Sequence, residues 1–487
     1  MLAIDLVIVT GQSNAGIAVT NEITESINGV DITGSVFALS ALKASQNLGL
    51  GNGGVLVLAS SPGNYTSEGS IYGDTALLPG STSSNPTWYA YVNNKPSQGV
   101  VASNLENLFA QWCRDNAANF VNAGIAIKHI DIVSMHNEND DTNLGIGNSQ
   151  TNLTDWEIAK LDQMADVASA FHMPAGSVTM SFVWVPSNYA TAGGGQISVQ
   201  FGNDANTQSG GQNEYIEPYT SYYAYAQYNL QAAQWAMAGD PTHTHMYIAG
   251  QYGDASMRGD GNSGDSGTYG NLHFYLPATC SSQPFCAGTP ADTPNDFQPG
   301  GQAASFVTRL SNHISNIFAA DAVTGSVVAR NGYHMDSGPV ATGAALVNDG
   351  TREHIIVTFA MDPLAPTFGP LDGATKGHGD GNLGAGWSVA SQGAPNQIYA
   401  TQATVIQPNE VELTLSSPVP NSSNDLLYYM GIWDGHIVYT DYYDHIVSPG
   451  TNPGYTEANG EKDAVYDSLG MPILVSALGI KISAPSD

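Results

Sequence analysis

Asp5-Leu6-Val7-Ile8-Val9-Thr10-Gly11-Gln12-Ser13-Asn14-Ala15 joins two kinds of sequence. Residues 5–10 are a short apolar run rich in β-branched side chains, which predicts a buried strand. Gly11 breaks the run, and Ser13 follows between two polar neighbours. A strand ending in a Gly-containing turn holds a hydroxyl at the carboxyl edge of a sheet. Open α/β sheets bind their ligands at that edge. Ser13 is therefore a candidate nucleophile. A plain polar turn after a buried strand is the other reading of the same residues.

The chain around this stretch has 487 residues, more than one ordinary core holds, so two domains are expected. Hydrophobic residues make up 42% of it, enough for globular folding. No apolar run reaches the roughly 18 residues of a membrane helix, so no membrane span is expected. The first strand begins almost at Met1, with no basic and apolar leader before it, and no signal peptide is expected.

The formal charge is −31, from 43 acidic residues against only 12 Lys and Arg. The acidity comes from missing bases, with Gly, Ser, Thr, Asn and Ala in their place. Such a chain repels nucleic acid and anionic membranes. Plain solubility, a high-salt or extracellular setting, and a virion or tail protein all fit this composition. Assembly into a virion or a homo-oligomer fits it too. Cys280 and Cys286 share one loop and are close enough in sequence to close a small disulfide. Cys113 falls in a helical pattern and reads as a buried thiol.

Strands and helices alternate through the first two thirds of the chain. Gln98-Gly99-Val100-Val101 leads into a predicted helix, with Ser103 and Glu106 at capping-box spacing. Val101, Leu105, Leu108, Phe109 and Trp112 fall on one face of it. A glycine ahead of a helix N-terminus leaves its amide free for a developing oxyanion. Ile125–Met135 reads as a strand running into His136-Asn137-Glu138-Asn139-Asp140. A further helix is expected from Thr154, with Ile158, Leu161, Ala165, Ala168 and Phe171 on its apolar face. Strands at 178–185 and 245–249 flank a predicted helix at 222–237. Asn271-Leu272-His273-Phe274 precedes a helix with Val307, Leu310, Ile314 and Ile317 on one face. This alternation predicts an α/β domain with a parallel sheet. Asp260–Asp265 carries oxygen ligands spaced as in a calcium loop, but it lacks the closing Glu and reads as a Gly-rich turn. From about residue 326, short strands such as 355–359, 411–415 and 427–432 alternate with turn residues. That pattern predicts a β-sandwich.

Gly11-Gln12-Ser13-Asn14 resembles the first block of the SGNH hydrolases, in the form seen in sialate O-acetylesterases and related carbohydrate esterases. Gly99 before a helix resembles the second block. Glu138-Asn139-Asp140 resembles the third, with His136 and Asn137 where that branch has Gln and Gly. The fourth block, Asp-x-x-His, places its histidine at His273, but Gly270 stands where its acid belongs. Asp265 is the substitute acid, with Asp260 and Asp254 behind it; a Ser-His dyad oriented by a backbone carbonyl is the alternative. Tyr466–Pro472 resembles the closing segment of β-domains appended to bacterial and phage SGNH esterases.

The resemblance implies a three-layer α/β/α domain over 1–325 and a β-sandwich over 326–487. It implies an esterase removing O-acetyl or similar small acyl groups from a carbohydrate or polysaccharide, with no metal or other cofactor. Ser13 would be the nucleophile, His273 the base and Asp265 its partner. The Ser13 and Gly99 amides, with Asn139 or His136, would hold the oxyanion. The rival expectation is a carbohydrate-binding or receptor-binding protein of a virion or cell surface, with little turnover on the same scaffold.

Overall fold

The computed structural model describes residues 2–11, 15, 18–19, 22–50, 54–59, 88–91, 100–135, 149–174, 177–184, 234, 237–240, 245–251, 257–258, 273–274, 302–324, 338–347, 349–361, 365–368, 387–390, 398–420, 425–429, 473 and 476–484. In chain order the elements are β1 (Leu2–Gly11), β2 (Glu22–Ile27), β3 (Val30–Ser35), α1 (Val36–Asn47), β4 (Val55–Leu58), β5 (Tyr89–Tyr91), β6 (Val100–Ala102), α2 (Asn104–Asn122), β7 (Ile125–Met135), α3 (Ser149–Ala170), β8 (Val178–Trp184) and β9 (Met246–Gln251). Then come β10 (Met257–Arg258), β11 (His273–Phe274) and α4 (Gln302–Thr324). The last seven are β12 (Val340–Leu346), β13 (His354–Ala360), β14 (Trp387–Ala390), β15 (Ile398–Gln407), β16 (Glu410–Leu415), β17 (Leu426–Tyr429) and β18 (Ser476–Ser483).

The chain packs as two compact units. One comprises Met1–Trp184, Asn229–Gly250 and Phe297–Asp336, and the other Val185–Tyr228, Gln251–Asp296 and Ser337–Asp487.

The first unit is built on a five-stranded sheet in the order β4-β1-β7-β8-β9. β1 pairs parallel with β4 and with β7, and β7 with β8. Numbered among themselves, these strands run 2-1-3-4-5, one of the two common doubly wound orders. Leu6, Val7, Ile8, Val9, Ile130, Ile132 and Val133 are fully buried, as strands covered on both faces require.

Helices cover both faces. α4 packs beside α1, and α2 beside α3. The α1–α4 seam is tied by Lys43 Nζ donating to Thr308 Oγ1 (3.1 Å) and Ser40 Oγ donating to the Val307 carbonyl (3.3 Å). Val307, Leu310, Ile314 and Ile317 are buried as their spacing predicts. α3 differs from its reading. It begins at Ser149, ahead of the expected start at Thr154, and buries Trp156, Ala159, Lys160, Gln163, Val167 and Ala170. Ile158 and Leu161 are 44% and 36% exposed. The large Trp156 ring packs on Phe182 at 6.0 Å and turns the helix so that the expected apolar face looks outward.

The second unit carries the seven strands β12–β18 joined in one closed ladder, β12-β13-β16-β15-β14-β17-β18. All pairings are antiparallel except β12 with β18, which closes the ring. A separate β unit of short strands is thus present as expected. Its sheet is mixed, and the strands are bonded around a barrel because β15 pairs with both β14 and β16 while β12 takes β18. Ile355, Val357, Trp387, Val411, Leu413 and Leu427 form its core.

Among the described residues, no helix is long and apolar enough to cross a membrane.

Candidate functional site at the carboxyl edge of the parallel sheet

β1 lies between the second and third strands of the 2-1-3-4-5 order. Its carboxyl end is therefore at the topological switch point, where open α/β sheets form their ligand crevice. The last residue of β1, Gly11, is the register partner of Met135, the last residue of β7. The first-block segment after Gly11 and the third-block segment after Met135 thus leave the sheet from adjacent points on one edge.

Gly11 has φ 142°, and a Cβ there would run into the Met135 carbonyl oxygen and come within 2.9 Å of the Ala15 Cβ. Only glycine fits this close approach between the two strand ends.

Ser13, Gly99, His136, Asn139 and Asp265 lie outside the described residues, as do Asp254, Asp260, Gly270 and the Cys280–Cys286 loop. His273 is described in its backbone alone, where it pairs with Arg258 in the two-stranded β10–β11 ladder. The helix after Gly99 begins after Ser103, as the capping-box spacing predicts, but Val101 is not on it. Val100–Ala102 form β6, paired with β5, and Ser103 caps α2 by accepting from the Leu105 amide at 3.0 Å. β6 therefore stands between Gly99 and the helix cap at Ser103. Val101 belongs to β6 and is 50% exposed, while Leu105, Phe109 and Cys113 form the buried stripe of α2.

Two buried polar clusters were missed in the sequence. Asp131 on β7 is the register partner of Thr179 on β8, and Val133 that of Ser181. Asp131, Thr179 and Ser181 therefore share the sheet face that meets α4. Thr179 Oγ1 and Ser181 Oγ donate to Asp131 Oδ1 at 2.7 and 2.8 Å. His313 Nε2 from α4 lies 2.9 Å from Ser181 Oγ and 3.6 Å from Asp131 Oδ2, the latter an ion-pair distance without a hydrogen bond.

A serine, a histidine and an aspartate meet here, but in the wrong roles for a nucleophile. Ser181 gives its hydrogen to Asp131, so Nε2 must be the donor to Ser181 Oγ. A triad needs that nitrogen to accept the serine proton and the acid to hold the other nitrogen. Asp131, Ser181 and His313 are also at most 1% exposed, so the cluster is an internal tie between α4 and the sheet.

The opposite face carries Ser134, one residue from the carboxyl end of β7. Lys160 Nζ from α3 donates to Ser134 Oγ at 2.7 Å, with the ammonium 5.3 Å from the centre of the Trp156 ring. The signal for both clusters is a polar residue inside a buried apolar strand: Asp131 between Ile130 and Ile132, and Ser134 between Val133 and Met135.

Near the amino end of the sheet, the β1–β7 register shifts between Ile4 and Leu6, so that Lys128 and His129 together oppose Asp5. The bulge turns both toward one carboxylate, His129 Nδ1 at 3.0 Å and Lys128 Nζ at 3.7 Å. Phe318 of α4 stacks on His129 at 6.4 Å. This edge is far along the strands from Gly11 and reads as structural.

Glu106 on α2 and Asp166 on α3 both hold their protons above the ordinary carboxyl range. Burial is the main cause for each, followed by the Asp162 carboxylate; Arg114 opposes the shift at Asp166.

No family model matches this chain, and no curated protein matches it. Among solved structures, the N-terminal part of the bacterial S-layer protein SbsC aligns at 11% identity and TM-score 0.18, covering 41% of this chain and 37% of that one. The S-layer protein rSbsC(31-844) aligns at 9% identity and TM-score 0.18, covering 78% and 45%. The aligned part thus spans less than half of either S-layer chain. At these TM-scores the likeness says nothing about the fold or function of this one.

Proposed function

We propose that the chain is a serine esterase that removes O-acetyl or similar small acyl groups from a carbohydrate or polysaccharide, on an SGNH-type domain followed by a β-sandwich-like domain. The observation that carries this reading is the pairing of Gly11 with Met135 at the switch point. It ends β1 and β7 side by side on the edge where such sheets bind ligands, and Gln12-Ser13-Asn14 and Glu138-Asn139-Asp140 follow these ends in the sequence. The scarcity of Lys and Arg supports a partner that is neither nucleic acid nor an anionic membrane surface.

In the proposed reaction, Ser13 Oγ attacks the ester carbonyl carbon while His273 takes its proton. The carbonyl oxygen becomes an oxyanion held by the Ser13 and Gly99 amides with Asn139 or His136. The tetrahedral intermediate then collapses, and the sugar alkoxide leaves with the proton from His273. Water, deprotonated by the same histidine, cleaves the acyl-enzyme and releases the carboxylic acid. Asp265, or a backbone carbonyl, orients the imidazole. No step calls for a metal.

The test is hydrolysis of acetylated sugars by the parent chain and by Ser13→Ala. Loss of turnover on the order of a million-fold in a folded variant is the expected result; retention of most activity rejects Ser13. Asp265→Asn separates the two ways of orienting His273. A triad acid costs about four orders of magnitude, and a backbone carbonyl makes the change nearly silent. Gly270 in the place of the usual acid favours a second reading, a carbohydrate-binding surface or virion protein with little turnover. A parent chain that binds the acetylated sugar without cleaving it would support that reading.

A further inference from the structure

An open cavity of about 640 Å³ lies at the amino end of the sheet, between the β2–β3 turn, α1 and the start of β4. Asn28, Leu42, Ser45, Gln46, Leu50 and Val55 are among the residues that line it. Its size falls within the range of small-molecule sites, roughly 300–1,000 Å³. Two ties fix its walls. Asn28 Nδ2 donates to Gln46 Oε1 at 3.0 Å and holds the turn against α1. Ser45 Oγ accepts from the Val55 amide at 2.8 Å and holds β4 against the same helix. Val55 is the register partner of Asp5, at the opposite end of β1 from Gly11. At the rise of a strand, those two residues of β1 are about 20 Å apart.

None of the lining residues is charged, in a chain of formal charge −31. A cation would find no carboxylate in this wall, and an anion no ammonium or guanidinium. The free polar groups are carboxamides. Asn28 gives one hydrogen to Gln46, which leaves Asn28 Oδ1 to accept and Gln46 Nε2 to donate. Leu42, Leu50 and Val55 add aliphatic surface beside them. A neutral sugar ring matches both features, with hydroxyls that donate and accept and C–H faces that bury on aliphatic carbon. A purely apolar ligand would strand the carboxamides, and an ion would shed water without gaining a counter-charge.

We propose that this cavity binds a neutral sugar residue, remote from the carboxyl edge of the sheet. The Asn28–Gln46 pair takes the hydroxyls, and Leu42 and Leu50 take the C–H face of the ring. The site goes beyond the proposed esterase, because binding here requires no turnover. Its place at the amino end makes it an anchor for a part of a carbohydrate that does not react.

The experiment titrates the isotope-labelled full chain with the methyl β-glycosides of glucose, galactose and xylose and follows the side-chain amide NMR signals of Asn28 and Gln46. Glycerol, glucuronate and N-methylacetamide at matched concentration are the comparisons. At least one glycoside should shift both signals to saturation. Glycerol should not, and glucuronate should bind more weakly because its charge finds no partner. Gln46→Ala should weaken glycoside binding about fivefold, as loss of one neutral hydrogen bond does. Asn28→Gly, which accepts the φ of 55° at that turn, should do the same. Leu42→Asp should abolish binding; if it does not fold, the two carboxamide variants decide. No saturable shift with any glycoside overturns the proposal, as does equal binding by parent and carboxamide variants. An equal response to glycerol or glucuronate overturns it too, and a response to N-methylacetamide alone would make the cavity a peptide groove instead. Glycoside binding at Asn28 and Gln46 without ester hydrolysis would reject the esterase and leave this site standing; hydrolysis without such binding would do the reverse.

Discussion

Gly11 and Met135 end neighbouring parallel strands in register, so close that the Met135 carbonyl oxygen occupies the space of any Cβ at Gly11. The strand ends are locked together at the switch point, and the two polar segments that follow inherit a fixed starting separation. The contact is a constraint on the backbone, so it should be visible in stability whatever the chemistry at this edge.

Gly11→Ala should therefore destabilise the first unit by about 3 kcal/mol or more, combining a disfavoured φ with overpacking against backbone that cannot yield. Urea unfolding monitored by tryptophan fluorescence measures this. A loss below about 0.5 kcal/mol, the scale of a neutral surface change, would mean that the strand ends are not so tightly apposed.

The orientation of α3 gives a second prediction, in which the expected and observed faces have opposite consequences. Leu161→Gln on the outward face should cost less than about 0.5 kcal/mol. Trp156→Ala on the inward face should cost about 3–5 kcal/mol. Reversed magnitudes would restore the face that hydrophobic spacing alone predicts.

That helix shows where the sequence is silent. β1 and β7 are legible because a strand buried on both faces must be apolar throughout, and α4 because its apolar residues recur at one helical spacing. In α3 the spacing of Ile158, Leu161 and Ala165 is equally regular. Its inward face nevertheless includes Gln163 and Lys160, the latter meeting Ser134 of β7 across the layer. The β2–β3 hairpin had a local signal that went unread: Asn28-Gly29 takes φ 55° and 78°, the pair that a tight hairpin turn demands. Asp131, Ser181 and His313 are far apart in the chain, and no local pattern announces that they meet. The reading of Ser13 came from a strand ending in a Gly-containing turn together with a four-residue resemblance, and the sheet order adds that β1 ends at the switch point.

The internal cluster of Asp131, Thr179, Ser181 and His313 supplies a third prediction. Asp131→Ala leaves the Thr179 and Ser181 hydroxyls buried without their shared acceptor and removes the carboxylate beside His313; it should cost about 3–5 kcal/mol, as breaking a buried pair does. Catalysis per folded molecule should not change, because the cluster is sealed and its histidine is a donor to the serine. Hydrolysis that collapses in an Asp131→Ala variant of normal stability would instead make the cluster part of the reacting site.

Glu106 and Asp166 give the fourth prediction, a pH dependence whose sign follows from their shared position between α2 and α3. Burial and the neighbouring Asp162 raise both carboxyls above the ordinary range. The folded chain therefore keeps these protons to a higher pH than the unfolded chain does. Through that window the native state binds more protons, so stability falls as pH rises. The penalty is absent below the unfolded carboxyl values and complete above the raised folded ones. Unfolding free energies measured upward from the ordinary carboxyl range, about pH 4, should decline with pH from this source until both groups are ionised in the folded chain. Glu106→Gln should raise stability at the upper end and flatten the decline, since a neutral amide carries no charge for Asp162 and Asp166 to repel. Arg114→Ala should steepen it, because the guanidinium lowers Asp166 and partly offsets the effect. Both groups are partly open to solvent, so added salt should weaken the whole dependence. A pH slope left unchanged by Glu106→Gln would show that these carboxylates do not share the field that their positions imply.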